Sequence, residues 1–210
     1  MDQQQSKANI LNKIRQALKQ SVPVPFPQTD EKSSVFTPLQ QDIEIEFAEN
    51  FTKLQGRFSF AGSLGELVIQ LQTLIQARGW QAIYCREEAL ISMLQQHGFT
   101  QTFTTDLANC DAAITTCEQL IARTGSIVMS AAQQSGRTVS VYAPVHICIA
   151  YTSQLVYDIS DALKDIQLKY PQLPSLITLA TGPSRTADIE KTLVVGVHGP
   201  KEVFCLLVQE

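Results

Sequence analysis

The stretch Thr181-Gly182-Pro183-Ser184-Arg185-Thr186-Ala187-Asp188-Ile189-Glu190 follows the apolar residues 175–180. That apolar run is rich in residues that favour β-structure, so it predicts a short buried strand. Gly182-Pro183 ends the strand, and Ser184 or Thr186 can cap a new helical turn. The stretch therefore predicts a strand, a tight turn and a helix N-terminus.

The same stretch has the composition of an anion-binding site. Free backbone N–H groups at a helix N-terminus bind anions, and Arg185 adds a fork of donors suited to carboxylate or phosphate. A second glycine-containing turn, residues 195–200, follows and brings in His198. We expect the two turns to form one wall of a pocket. In the alternative interpretation, Gly182 to Ser184 is an ordinary connection, and Asp188 only pairs with Arg185.

A third glycine turn lies upstream, at Thr124-Gly125-Ser126. It is interpreted either as a backbone and hydroxyl site for an anion or as the glycine that ends a helix. The residues predicted to bind the ligand are Gly125, Ser126, Gly182, Ser184, Arg185, Thr186, Asp188 and His198.

Away from these turns, helical and strand patterns alternate along the chain. Residues 63–66 fit a capping box before an apolar helical stripe, which Gly79 ends. The alternation predicts an α/β domain with a largely parallel sheet flanked by helices. Within it, residues 118–123 are expected to form a short helix and residues 137–142 an antiparallel strand. The strands between 126 and 150 are expected to form a hairpin.

The N-terminal part has a different character. Residues 1–20 predict a basic amphipathic helix, with Ile10, Leu11 and Ile14 on one face. This helix either packs on its own domain or a second subunit, or contacts a membrane or partner. Residues 21–44 form a proline-containing linker, and residues 45–210 form the α/β domain.

Composition excludes several classes of protein. The net charge of −4 and the lack of a basic stripe argue against nucleic acid as a partner. The five cysteines have no C-x-x-C pair, so we expect reduced core residues and no metal or cluster in this chain. No apolar run is long enough for a transmembrane helix, and no signal peptide is evident, which predicts a cytoplasmic protein.

Two further residues have two interpretations each. Glu118 follows a predicted strand, and carboxylates at the C-terminal edge of a parallel sheet often act as acids, bases or nucleophiles. It could equally be a solvated residue at a helix start. His146 lies in an apolar strand, where it either faces a cleft or is a core histidine.

Taken in order, several segments resemble the LutC/YkgG family of lactate-utilisation (LUD) domain proteins. These segments are residues 124–128, residues 144–148, the Gly182–Glu190 motif and residues 197–200. The resemblance implies a fold similar to the NagB/RpiA/CoA transferase-like group. It also implies a role in cytosolic oxidation of L-lactate to pyruvate, as a subunit of an NAD-independent L-lactate dehydrogenase complex. Iron–sulfur clusters would belong to partner proteins.

Three hypotheses follow. In the first, the chain is a subunit of a lactate-oxidising system and binds a small anionic ligand through its glycine turns. In the second, it is a free-standing enzyme on a small acyl or sugar-phosphate substrate, with Glu118 or Asp188 as base. In the third, it is a non-catalytic assembly subunit that binds partners through residues 1–20. Homo-oligomer formation is compatible with each.

Overall fold

The computed structural model describes residues 3–19, 38–186 and 194–210. The chain divides into two compact units, residues 1–38 and residues 39–210. The first contains helix α1 (Gln3–Leu18), on which Ile10, Leu11 and Ile14 are exposed. Most of the predicted linker lies outside the described residues. The second unit holds all the other helices and strands of the described chain.

The second unit alternates helices and strands. Its helices are α2 (Ile43–Lys53), α3 (Leu64–Arg78), α4 (Glu88–Gln96), α5 (Val139–Tyr142) and α6 (Ile159–Lys169). Its strands are β1 (Arg57–Ala61), β2 (Ile83–Tyr84), β3 (Phe103–Thr104), β4 (Ala112–Thr115), β5 (Gln119–Ile121), β6 (Ser126–Ser130), β7 (Val145–Tyr151), β8 (Leu155–Val156), β9 (Ile177–Ala180), β10 (Arg185–Thr186), β11 (Val194–Val195) and β12 (Glu202–Val208).

A parallel sheet in the order β1-β12-β7-β4-β2-β3 forms the centre of this unit. One face packs on α3 and α4, through residues such as Leu71 and Leu94 against Ile147. The other face packs on α2, through Phe47 and Phe51, and on a second sheet. The predicted α/β architecture, with a largely parallel sheet flanked by helices, is therefore confirmed.

The second sheet, in the order β8-β5-β6-β9, corrects two expectations. Residues 119–121 form strand β5 instead of a helix, because this segment is buried between β6 and β8 and pairs with both. The expected hairpin is absent from residues 126–150, all of which the structure describes. There, β6 pairs with β5 and β9, whereas β7 enters the parallel sheet.

Residues 137–142 are also not a strand. Val139–Tyr142 form the short helix α5, and the buried Val139 and Ala143 pack beside Tyr84 and Ala113. The polar–apolar alternation of this segment suggested a strand, but only Val139 of the helix is buried. Burial against β2 and β4 therefore determines its conformation more strongly than local propensity does.

The predicted ends of helix α3 are confirmed. Ser63 Oγ accepts a hydrogen bond from the Glu66 backbone N–H at 3.2 Å, and Glu66 Oε2 accepts one from the Gly62 N–H at 2.8 Å. Gly79 ends α3 with a left-handed backbone conformation. The five cysteines are free and buried. No helix in the described ranges is long and apolar enough to cross a membrane.

Candidate functional site

A cavity of about 370 Å³ lies between the end of α5 and the turn that follows β11. We call it the glycine-turn cavity. Its lining residues are Val141, Tyr142, Pro144, Gly196, Val197, His198, Gly199 and Lys201. The cavity is thus built from two chain segments, residues 141–144 and residues 196–201.

Backbone hydrogen bonds hold the second segment in place. The Ser184 N–H donates to Pro200 O at 2.9 Å, and the Gly196 N–H donates to Ser184 O at 2.9 Å. The Lys201 N–H donates to Pro144 O at 2.8 Å, which ties the two walls together. A Cβ atom at Gly199 would lie 2.8 Å from Ser184 Cβ, so this close approach requires glycine. The structure therefore brings the predicted residue Ser184 directly beneath the turn that carries His198.

The chemistry of the cavity suits an anion. Lys201 contributes a positive charge, His198 contributes ring nitrogens, and the described residues of the lining include no carboxylate. Among the described residues, none accepts a hydrogen bond from the backbone N–H groups of Val197, His198 or Gly199. Consecutive backbone N–H groups of this kind can surround an anion, and the nearby lysine adds to the positive potential.

The other predicted glycines lie elsewhere, packed against the C-terminal end of α2. A Cβ atom at Gly125 would lie 2.5 Å from the backbone N of Phe51, and one at Gly182 would lie 2.5 Å from Leu54 O. Both glycines have left-handed φ angles, +61° and +79°. Ser126 is buried beside them, and its hydroxyl is within hydrogen-bond distance of Thr181 Oγ1 at 2.8 Å. Close packing on α2 is a sufficient structural reason for these residues.

Arg185 and Thr186, two further predicted residues, do not line the cavity either. Arg185 Nη2 donates to Leu54 O at 3.3 Å, so its guanidinium contacts the end of α2 and is not part of the cavity lining. Arg185 and Thr186 form strand β10, which pairs with β11. The expected helix start at Ser184 is therefore wrong, because residues 185–186 are extended. A helix capped by Thr186 would lie outside the described residues, so that alternative stays a prediction. Asp188 lies outside the described residues, and its role stays a prediction.

A hydrogen-bonded network occupies the C-terminal edge of the parallel sheet. Glu118 follows β4, and its side chain is 1% exposed. Its carboxylate accepts hydrogen bonds from Lys169 Nζ at 2.7 Å, Ser130 Oγ at 2.5 Å and Tyr170 Oη at 2.8 Å. Burial raises the pKa of Glu118, but these donors together hold it below its ordinary value. Glu118 is thus an ionised, fully partnered carboxylate and not a solvated one.

A second buried carboxylate, Glu87, follows β2. Its Oε2 accepts hydrogen bonds from the Thr116 N–H at 3.1 Å and the Thr116 hydroxyl at 2.5 Å. Its Oε1 is buried with no protein partner in the described chain. From β2 the chain continues to β3 at the sheet edge, whereas the next strand of this sheet after β4 is β7, on the opposite side of β4, reached by way of the second sheet. Glu87 and Thr116 therefore lie where the strand connections diverge, a common location of ligand sites in α/β sheets.

His146 is a core histidine and does not face a cleft. It is fully buried in β7, and its Nε2 is 2.8 Å from Thr115 Oγ1. Burial lowers its pKa from 6.5 to about 4, so the ring is neutral at physiological pH. His146 lies on a strand inside the sheet and does not line the glycine-turn cavity.

Comparison with known proteins identifies the family. The family model described as the LUD domain matches residues 45–208. The chain belongs to the LUD domain family. A crystal structure of a DUF162 family protein from Deinococcus radiodurans resembles it, with a TM-score of 0.58 and 17% sequence identity. That match covers 81% of this chain and 99% of the other, and it supports the fold.

Curated relatives of this LUD domain include proteins named lactate utilization protein C. One from Halalkalibacterium halodurans is 37% identical over 103 residues, covering 48% of this chain and 45% of that protein. One from Anoxybacillus flavithermus is 27% identical over 215 residues, covering 96% of each. An uncharacterized protein from Neisseria meningitidis is 35% identical over 100 residues, covering 43% of its length. The first relatives are thus matched over less than half of their own length.

In this LUD domain, Lys201 and Tyr142 in the cavity and Glu87 at the sheet edge are not among the residues predicted from the sequence. Lys201 directly follows Gly199-Pro200, and a basic residue beside a glycine turn is a signal that could have identified it. Tyr142 has no such signal, because it reaches the cavity only through the packing of α5. Glu87 lies three positions beyond the short strand β2, and its carboxylate is held by the loop that contains Thr116.

Proposed function

We propose that this LUD-domain chain is a component of an L-lactate utilisation system that oxidises lactate to pyruvate in the cytoplasm. Support comes from its membership of the LUD family and from relatives named lactate utilization protein C. Within that system, the glycine-turn cavity binds a small anion. The observation that carries this assignment is a cavity with Lys201 and His198 in its lining and with no carboxylate among the lining residues that the structure describes.

Oxidation of lactate to pyruvate releases two electrons, and a protein system must pass them on. In our proposal, iron–sulfur partner proteins accept these electrons. The five cysteines of this chain are buried in its core. Burial raises the pKa of Cys85 to about 12, which disfavours the thiolate that a cluster would need. Cluster ligands would therefore come from the partners.

In the alternative of a free-standing enzyme, Glu118 or Asp188 would act as the base. Glu118 is poorly suited to that role, because Lys169, Ser130 and Tyr170 occupy its oxygens and its pKa is lowered. A base that works near neutral pH needs a raised carboxyl pKa and access to substrate. Glu87 differs from Glu118 in that its buried Oε1 has no protein partner in the described chain.

The alternative of an assembly subunit is favoured by one observation on α1. Ile10 and Ile14 are 57% and 49% exposed on this helix. A helix with exposed apolar residues and basic neighbours fits a partner protein. This function is compatible with anion binding by the second unit, so one chain can serve both purposes.

The proposed function predicts a growth phenotype. Removing the gene for the chain from its native host should abolish growth on L-lactate as carbon source while leaving growth on pyruvate unchanged. The wild-type chain should restore growth, whereas Lys201→Gln should restore it at less than half the rate, because the cavity loses its lysine charge. The matched control is Lys164→Gln, which removes an exposed lysine on α6. Normal growth of the deletion strain on L-lactate would contradict the proposal.

A further inference from the structure

We propose that the glycine-turn cavity takes a phosphate ester that carries a planar ring, that is, a mononucleotide-type ligand. The ring would stack on Tyr142, and the phosphate would lie against the turn of residues 196–199. The inference adopts the anion site of the proposed function, but it does not depend on lactate as the reaction substrate.

The cavity is larger than a small carboxylic acid needs. A volume of about 370 Å³ equals that of about 12 water molecules, at about 30 Å³ each in the liquid. A three-carbon acid such as lactate would leave most of this space unfilled. The volume instead falls in the range of about 300–1,000 Å³ that is typical of sites for larger ligands. The cavity therefore fits a ligand with more than a carboxylate group.

One wall of the cavity, residues 141–144, is aromatic and apolar. Tyr142 is 70% exposed although it lines the cavity, and Val141 and Pro144 flank it. A tyrosine ring with an exposed face is a stacking platform for a planar base, and neighbouring apolar side chains keep water from the stack. Because Tyr142 is so exposed, it contributes little to the core and is free to contact a ligand.

The opposite wall offers what a phosphate needs. Val197, His198 and Gly199 present backbone N–H groups for which the described chain provides no acceptor. The Lys201 side chain passes close to Gly196, where a Cβ atom would lie 2.2 Å from Lys201 Cγ. Glycine at this position leaves room for the lysine stem beside the turn. Backbone N–H groups with an adjacent lysine form a common type of phosphate site.

The two walls thus differ in character, one aromatic and apolar and the other cationic and rich in N–H groups. A bond between the Lys201 N–H and Pro144 O fixes their separation. A simple anion uses only the second wall, whereas a nucleotide uses both. This division of the lining favours the ring-bearing phosphate ester over inorganic phosphate or a monocarboxylate.

The test is a calorimetric titration of the full chain with ADP, inorganic phosphate and L-lactate in separate experiments. We expect ADP to bind at least tenfold more tightly than inorganic phosphate, phosphate to compete with ADP, and L-lactate not to displace it. Tyr142→Ala should weaken ADP binding about tenfold, in line with alanine substitutions at base-stacking aromatics, and leave phosphate binding unchanged. Lys201→Gln should weaken the binding of both, whereas the control Lys164→Gln should change neither.

Two outcomes would overturn the inference. One is ADP binding that is absent or no tighter than phosphate binding, and the other is ADP binding that Tyr142→Ala leaves unchanged in a folded variant. Failure of the proposed function would look different. ADP binding without lactate-dependent growth would leave this inference standing and contradict the function, and the reverse result would contradict the inference alone.

Discussion

Replacing Gly125 by alanine is expected to lower the free energy of unfolding by about 3 kcal/mol or more. The new Cβ atom would lie 2.5 Å from the backbone N of Phe51 and 2.7 Å from the backbone C of Asn50. Backbone cannot move aside as a flexible side chain can, so α2 would have to shift from its place on the sheet. Overpacking costs about 1–3 kcal/mol, and the left-handed backbone at +61° adds about 1–2 kcal/mol for any residue with a Cβ atom.

The measurement is the midpoint of urea unfolding for wild type and variant. Gly136→Ala is the matched control, because Gly136 has a φ of +63° but no atom within 4 Å of the added Cβ. This control should lose only the backbone cost of about 1–2 kcal/mol. Equal destabilisation of the two variants would show that the contact between Gly125 and α2 is unimportant, and it would reopen the interpretation of Gly125 as a ligand residue.

The pH dependence of stability should report His146. The folded protein holds this buried ring neutral, with a pKa of about 4, whereas the unfolded chain protonates it near pH 6.5. Between these values the unfolded state binds more protons, so stability falls as the pH falls. The full difference of about 2.5 pKa units corresponds to about 3 kcal/mol, present above pH 6.5 and lost progressively towards pH 4.

The control for this effect is His146→Gln, which keeps a polar side chain near Thr115 but does not titrate. Its unfolding free energy, measured by urea titration at several pH values, should lose the slope between pH 6.5 and 4. Glu118 affects stability in a different pH range, because its pKa is lowered in the folded protein. Its contribution to stability is present above the pKa of the unfolded chain and is lost as the pH falls through the lower pKa of the folded state. A slope that survives in His146→Gln would exclude the buried histidine as its source.

Secondary structure was predictable wherever the signal was local. The capping residues of α3, the glycine that ends it and the uninterrupted apolar run of β12 are all signals within one segment. Strand β5 and helix α5 were not predictable in this way. Residues 119–121 become a strand because they pair with β6 on one side and β8 on the other. Strand β8 is distant in sequence, so no local pattern shows this pairing.

The candidate site shows the same limit. Each of the three turns contains glycine, but the neighbour that requires glycine differs from turn to turn. Gly125 and Gly182 allow close contact with α2, whereas Gly199 allows contact with Ser184. A sequence pattern identifies a glycine without showing what approaches it. Tyr142 is the clearest case, because it enters the cavity through the fold of a segment 54 positions before Gly196.

We propose above that this LUD-domain chain works within a lactate-oxidising assembly. The most direct test is to isolate the tagged full chain from its native cells and to assay L-lactate oxidation, with an artificial electron acceptor, on the material that co-purifies. We expect iron–sulfur proteins to be recovered with it, and we expect the isolated material, but not the chain alone, to convert L-lactate to pyruvate. Recovery of the chain without iron–sulfur proteins and without lactate-oxidising activity would show that it does not work in such an assembly.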